Sequence, residues 1–258
     1  MSPEPSEHNG WIRTSRDGAV LTVSLDRPDQ LNAQTPATWS ALAAVGASLD
    51  DDVRVVVVRG EGRAFSAGLD RRMFDLSAPG ALADIVTVPA EEAQERIREY
   101  QAGFRWLRSP KIVSVAAVQG HAIGAGMQLA LACDLRVLAD DAQLRLPEAT
   151  LGLVPDLTGT SNLVELVGYS RAMEIALTGR AVKAAEAQAI GLANVVVPAA
   201  ELDATVTDLV AALCGPPVGA GRATAALVRS AVRNDPETQD AAERVAQVLR
   251  LHELVGGR

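Results

Sequence analysis

Two buried-strand patterns, each running straight into a loop of small residues, constrain this chain more than any other feature. Residues 53–59 lead into Arg63-Ala64-Phe65-Ser66-Ala67-Gly68-Leu69-Asp70. Residues 111–118 lead into Gly120-His121-Ala122-Ile123-Gly124-Ala125-Gly126. A continuous β-branched run suits a strand covered on both faces, as in a parallel sheet. Small residues where such a strand ends let a ligand reach the backbone closely. Two loops of this kind can aim two backbone N–H groups at one oxygen atom, the physical requirement for stabilising an oxyanion. Taken alone, Gly124 and Gly126 would equally serve tight strand–helix packing.

The rest of the chain reads around these strands. Residues 12–15 and 20–25, joined across Arg16-Asp17-Gly18, predict a β-hairpin with an Asp-Gly turn. A helix is expected from Pro36, with Thr35 as its N-cap, to about Leu49. Residues 80–89 read as irregular, and residues 91–107 carry the periodicity of a long helix ended by Pro110. Residues 126–133 predict a short apolar helix, and 135–138 and 143–146 two further short strands. After Thr158 helical patterns dominate, with one short strand at 194–197. No Ser/Gly linker interrupts the chain. Strand–helix alternation followed by helices indicates an α/β core with a helical appendage. We place the core at 1–198, with 1–10 a frayed tail, and the helical region at 199–258.

At 258 residues and 48% hydrophobic content the chain can bury a substantial core, but aromatics are only 3%, so Ala, Val and Leu must build it. No apolar run reaches the ~18 residues a membrane span needs. The polar, acidic Met1-Ser-Pro-Glu-Pro start is unlike a signal peptide. Cys133 and Cys214 lie far apart in apolar helical patterns, so two buried, reduced thiols in a cytoplasmic protein are expected, with no metal spacing. A net charge of −8 argues against nucleic acid as a partner.

Read together, these segments resemble the crotonase superfamily, the enoyl-CoA hydratases and isomerases. The resemblance begins at Leu21-Thr-Val-Ser-Leu-Asp26-Arg27-Pro28 with Leu31-Asn32-Ala33 and takes in both loops. It continues through Leu129-Ala-Leu-Ala-Cys133-Asp134, Pro147-Glu148 and Gly152-Leu153. It ends with Gly168, Arg171-Ala172, Leu177-Thr178-Gly179-Arg180, Ala184, Ala187 and Gly191-Leu192. It implies a spiral of ββα turns and trimers, or dimers of trimers, formed through the C-terminal helices. It implies an acyl-CoA thioester as substrate, CoA being part of that substrate and no separate cofactor being needed. The oxyanion donors would be the amides of Leu69 and Ala125, worth about 3 kcal/mol each against an enolate-like state. Substrate contacts would come from Arg27, Leu31, Ala33, Ala67, Gly68, Asp70, Arg71 and Gly124. An acidic chain needs a local basic cluster for CoA phosphates, and Arg27, Arg63, Arg71 and Arg72 are the candidates.

The resemblance also bears on the acids. Hydratases of this family work with two glutamates around one water. The first of those positions is Gln128 here, and a neutral amide cannot take a proton from water. The second matches Glu148. Asp156, eight residues on, resembles the dienoyl-CoA isomerase branch, where a glutamate and an aspartate face each other across the substrate. Isomerisation through Glu148 and Asp156, an altered hydratase, and acyl-CoA binding without turnover all stay open. The C-terminus also stops where relatives commonly continue, which puts contacts to the adenine end of CoA in question. A dinucleotide phosphate loop at Gly120, Gly124 and Gly126 is the rival reading. Its mid-chain position and the lack of a Tyr-x-x-x-Lys pair (Met173 follows Tyr169, Phe104 follows Tyr100) count against it.

Overall fold

In the computed structural model, which describes residues 9–76 and 81–256, the expected hairpin opens the fold. Most of the tail expected at 1–10 lies outside the described residues, as does Gly80. β1 (Ile12–Asp17) pairs antiparallel with β2 (Val20–Leu25), and Asp17 sits opposite Val20. The turn is therefore Gly18-Ala19, one step later than predicted. Gly18 takes φ +53, the positive value a primed hairpin turn needs at its first central residue. α1 (Pro36–Ala47) starts where expected, with the Thr38 hydroxyl accepting from the Thr35 amide at 3.1 Å.

β3 (Val55–Gly60) follows, then α2 (Ala81–Val86) and α3 (Ala90–Arg105). The short α2 corrects the irregular reading of residues 80–89. Its six residues contain no helix breaker, but they span less than two turns, too few for a periodic signal. α3 carries Glu91 and Glu92 in its first turn and Arg105 in its last, matching charge to the helix dipole. Next come β4 (Val113–Val118), β5 (His121–Ile123), α4 (Ala125–Ala132), β6 (Leu135–Ala139) and β7 (Gln143–Arg145). The chain continues through α5 (Gly159–Val167), α6 (Tyr169–Thr178), β8 (Ala181–Lys183), α7 (Ala184–Ala189) and β9 (Val195–Val197). α8 (Leu202–Cys214), α9 (Val218–Ala231) and α10 (Pro236–Gly256) close it. β5 and β8, three residues each, were missed in the sequence because alternation cannot be read over so short a stretch.

Six strands form one sheet in the order β1-β2-β3-β4-β6-β9, parallel from β2 onward. β5, β7 and β8 form a second, small sheet. Long strand, short strand and helix recur as β4-β5-α4 and again as β6-β7-α5. This is the ββα repeat that the resemblance implied.

Alternation along the large sheet separates two cores. Val56, Val58, Ala116, Val118 and Leu138 face the main core with Trp39, Phe104, Leu129 and Leu131. Val55, Val57, Val115, Ala117, Val137 and Ala139 face Leu202, Val206 and Val210 of α8. The sheet is thus covered on both faces, as the unbroken valine run required. Cys133 is fully buried, whereas Cys214, at the end of α8, is only half-buried, a departure from the expectation of two buried thiols.

Candidate active site

The loop after β3 is stitched in place on both sides. Toward β5, the Ser66 amide donates to His121 O at 2.8 Å, and Ser66 O accepts from Ile123 N at 3.0 Å. On the other flank, Ala67 N donates to Leu31 O (2.8 Å), Gln34 N to Gly68 O (2.7 Å) and Asp70 N to Gln34 O (2.8 Å). Residues 66–70 therefore run between the 31–34 segment and β5.

Leu69 is the residue bracketed by the last two bonds. In such a parallel bridge the middle residue turns its own N–H away from its partner. Gly68 sits beside it with φ +86. A Cβ built there would meet Ile123 O at 2.4 Å and Ala125 N at 3.5 Å, so only glycine permits this approach. Ala125 is the first residue of α4, where amides have no partner within the helix. Among the described residues neither the Leu69 nor the Ala125 amide donates to a protein acceptor. Two N–H groups without a protein acceptor thus lie on adjacent stretches of backbone, that of Ala125 at the positive end of a fully buried helix.

The carboxylates lie just beyond. Pro147 ends the stretch after β7, and Glu148 opens a 3-10 turn (Glu148–Leu151). A Cβ at Gly124 would sit 3.3 Å from Glu148 Oε1, which places that carboxylate beside the N-terminus of α4. Gln128, one turn along α4 and 1% exposed, donates from Nε2 to Glu148 Oε1 at 2.8 Å. Its Oε1 accepts from Leu157 N at 2.8 Å and Gly159 N at 3.2 Å. Asp156 immediately precedes that turn, and Gln101 of α3 secures its carbonyl at 2.7 Å. The other Glu148 oxygen, Oε2, is buried and has no hydrogen-bond partner among the described residues. Burial pushes the Glu148 carboxyl above the usual carboxylate range and the charge of Asp156 adds to this, while the Gln128 bond pulls the other way. Burial raises Asp156 as well. The three residues named as catalytic candidates in the sequence, Gln128, Glu148 and Asp156, thus lie together, although 20 positions separate Gln128 from Glu148.

The arginines divide into two kinds. Arg27 is mostly buried: it bonds Asp70 at 2.7 Å, reaches Ala33 O at 3.4 Å and lies 4.0 Å over the Trp11 ring. Arg72 joins it on Asp70 at 2.9 Å. Burial alone would raise the Asp70 carboxyl, but the bonds from Arg72 and Arg27 outweigh it and hold it well below the usual range. Asp70 and Arg27 therefore act within the protein, fastening the first loop to the 27–33 segment. Arg63 and Arg71 are exposed at the edge of the same loop.

A supporting network went unread in the sequence. Ser66 Oγ donates to Asn32 O (2.8 Å) and accepts from Gln34 Nε2 (3.0 Å) and Gly68 N (3.2 Å). That fills the hydroxyl's one donor and two acceptor places. Gln34 in turn accepts from Trp39 Nε1 at 2.8 Å. Asn32, which was read only as part of a motif, takes φ +54 and donates to Glu61 O and Ala64 O. No local signal in the sequence marks Gln34 or Ser66, because their partners come from separate elements.

Comparison with known proteins gives the family. The family model for enoyl-CoA hydratase/isomerase matches residues 15–253. A Mycobacterium bovis protein named "Probable enoyl-CoA hydratase echA8" is 34% identical over 194 residues, 74% of this chain and 70% of its own. The peroxisomal Delta(3,5)-Delta(2,4)-dienoyl-CoA isomerase of Arabidopsis thaliana is 31% identical over 224 residues, 85% of this chain and 81% of its own. A crystal structure from Thermobifida fusca YX, described as a "putative enoyl-CoA hydratase" in complex with acetoacetyl-CoA, superposes with a TM-score of 0.92 at 48% identity. It covers 97% of this chain and 100% of its own.

Proposed function

The chain belongs to the enoyl-CoA hydratase/isomerase family of the crotonase superfamily, and from that membership we propose that it shifts a double bond within an unsaturated acyl-CoA. The thioester oxygen takes the Leu69 and Ala125 amides. Glu148 Oε2 removes a proton from one carbon of the acyl chain, and the electron pair delocalises onto that oxygen as an enolate. Return of a proton to a carbon further along, from Asp156 or from Glu148 itself, completes the isomerisation with no net gain or loss of atoms. The exposed Arg63 and Arg71 supply positive charge for the CoA phosphates, since Arg27 and Arg72 are engaged by Asp70. Trimers, alone or paired, form through the C-terminal helices.

One observation carries the choice of isomerisation over hydration. Where a second glutamate would hold the attacking water, a neutral amide already bonds Glu148, and Asp156 is the remaining carboxylate close enough to act on it. The likeness of the named dienoyl-CoA isomerase supports the same reading. Turnover of crotonyl-CoA set against that of 3-enoyl-CoA and 3,5-dienoyl-CoA, followed by ultraviolet absorbance, tests it. Faster turnover of either isomerase substrate is expected. Faster hydration of crotonyl-CoA, or binding without turnover of any of the three, would overturn the assignment.

A further inference from the structure

Gln128 has a donor end and an acceptor end, and the site uses both. Backbone N–H groups can only donate, so the Leu157 and Gly159 amides require oxygen facing them, and this leaves the NH₂ group for the carboxylate of Glu148. The fit is close: a Cβ on Gly159 would come within 2.7 Å of Gln128 Cγ. Through the Gly159 amide Gln128 caps the first residue of α5, whose entry residue Thr158 holds a left-handed φ of +69, and through Leu157 it holds the turn before it. The same side chain thus ties together the two stretches that carry Glu148 and Asp156.

We infer that Gln128 is a positioning residue: its amide clamps Glu148 and the 156–159 turn into one arrangement, engages Glu148 Oε1, and leaves Oε2 as the oxygen through which a proton is exchanged. The bond fills one acceptor position of Oε1 and sets an amide, which cannot take a proton from water, where a second carboxylate would stand, so the clamp also disfavours hydration. Oε2, buried and without a protein donor among the described residues, is an acceptor open to a donor brought with the ligand, to a water or to a proton. The inference rests on the reading of Glu148 as the proton-transfer group.

The charged surroundings of Glu148 make the test specific. Asp156 is the neighbouring charge that acts on it. Arg145, at the end of β7, turns its guanidinium away to the carbonyl of Gly179. Removal of the Gln128 donor therefore leaves the ionised form of Glu148 with its own backbone N–H as the compensating donor. Glu148 is titrated in the full chain by ¹³C NMR with labelled glutamate, its signal identified by loss in Glu148→Gln. Its midpoint is expected to rise by about one pH unit in Gln128→Leu, and by more in Gln128→Glu, where a like charge replaces the donor. Gln128→Glu keeps an oxygen for Leu157 and Gly159, so it decides the question even if Gln128→Leu does not fold. A midpoint unchanged in Gln128→Glu would overturn the clamp. The titration needs no turnover, so a wild-type protein inert toward all three acyl-CoA substrates would remove the proposed reaction while the titration still decides the clamp.

Discussion

A carboxylate shut away from water keeps its proton to higher pH, and Glu148 is buried with one oxygen unpaired. This has opposite consequences for activity and for stability. As a base Glu148 must be ionised, so turnover is expected to be absent at low pH and to climb as pH rises through its elevated pKa. The folded state binds that proton more tightly than the unfolded chain, so this group lowers stability as pH rises from the ordinary carboxylate range to the elevated value. Asp70 behaves the other way, because its arginine partners depress its pKa: it stabilises the fold at neutral pH, and that contribution is lost as pH falls below the ordinary range. Replacing the proposed pair tests their role directly. Glu148→Gln and Asp156→Asn should each lower turnover by roughly two to four powers of ten while leaving acyl-CoA affinity nearly intact. Glu148→Gln should also melt no lower than the wild type at pH 7, since it removes a buried charge. Full activity in both variants would sink the proton-transfer assignment and leave the fold untouched.

The loops that follow β3 and β4 work as elements because backbone lies against backbone. A side chain at Gly126 would meet Ser66 O at 2.5 Å, and one at Gly68 would meet Ile123 O at 2.4 Å in a conformation that disfavours any Cβ. Gly126→Val should therefore push the two loops apart, abolish turnover and cost about 1–3 kcal/mol of stability, measured by denaturant unfolding beside the activity assay. Retention of full activity would show that the amides of Leu69 and Ala125 do not converge on a ligand. These loops were legible in the sequence because glycine and alanine at strand ends are a local signal. The valine runs of β3 and β4, the Thr35-Pro36 start of α1 and the helical C-terminal part were legible for the same reason. What stayed hidden depends on distant partners. The Ser66–Gln34–Trp39 network joins residues from separate elements, and neither Gln34 nor Ser66 looks unusual in its own neighbourhood. Gln128 could be recognised as a departure from a family pattern, but its use of both amide ends appears only when α4, the 3-10 turn at Glu148 and the start of α5 pack together.

At the scale of the whole molecule, the two ends of the chain's helical part behave differently. α8 lays Leu202, Val206 and Val210 on the large sheet and belongs to its second core. α9 and α10 bury no residue at all. α9 is fastened mainly by polar contacts, with Arg229 on Asp134 at 2.7 Å and Arg222 reaching Lys111 O at 3.2 Å. On α10, Val245, Val248, Leu251 and Val255 follow one another at helical spacing of three and four residues, between 47% and 75% exposed. An apolar stripe of this kind on an isolated chain is a surface that calls for a cover. A second copy of the chain would supply one with matching symmetry, in keeping with the trimer proposed above. Light scattering coupled to size-exclusion chromatography should give the mass of three or six chains at micromolar concentration. The double variant Val248→Glu with Leu251→Glu should reduce that mass to one chain. Because the stripe makes no contribution to either core, the variant's far-ultraviolet circular dichroism should stay close to that of the wild type. A wild-type protein that runs as a monomer across this concentration range would remove the stripe's assignment to self-association.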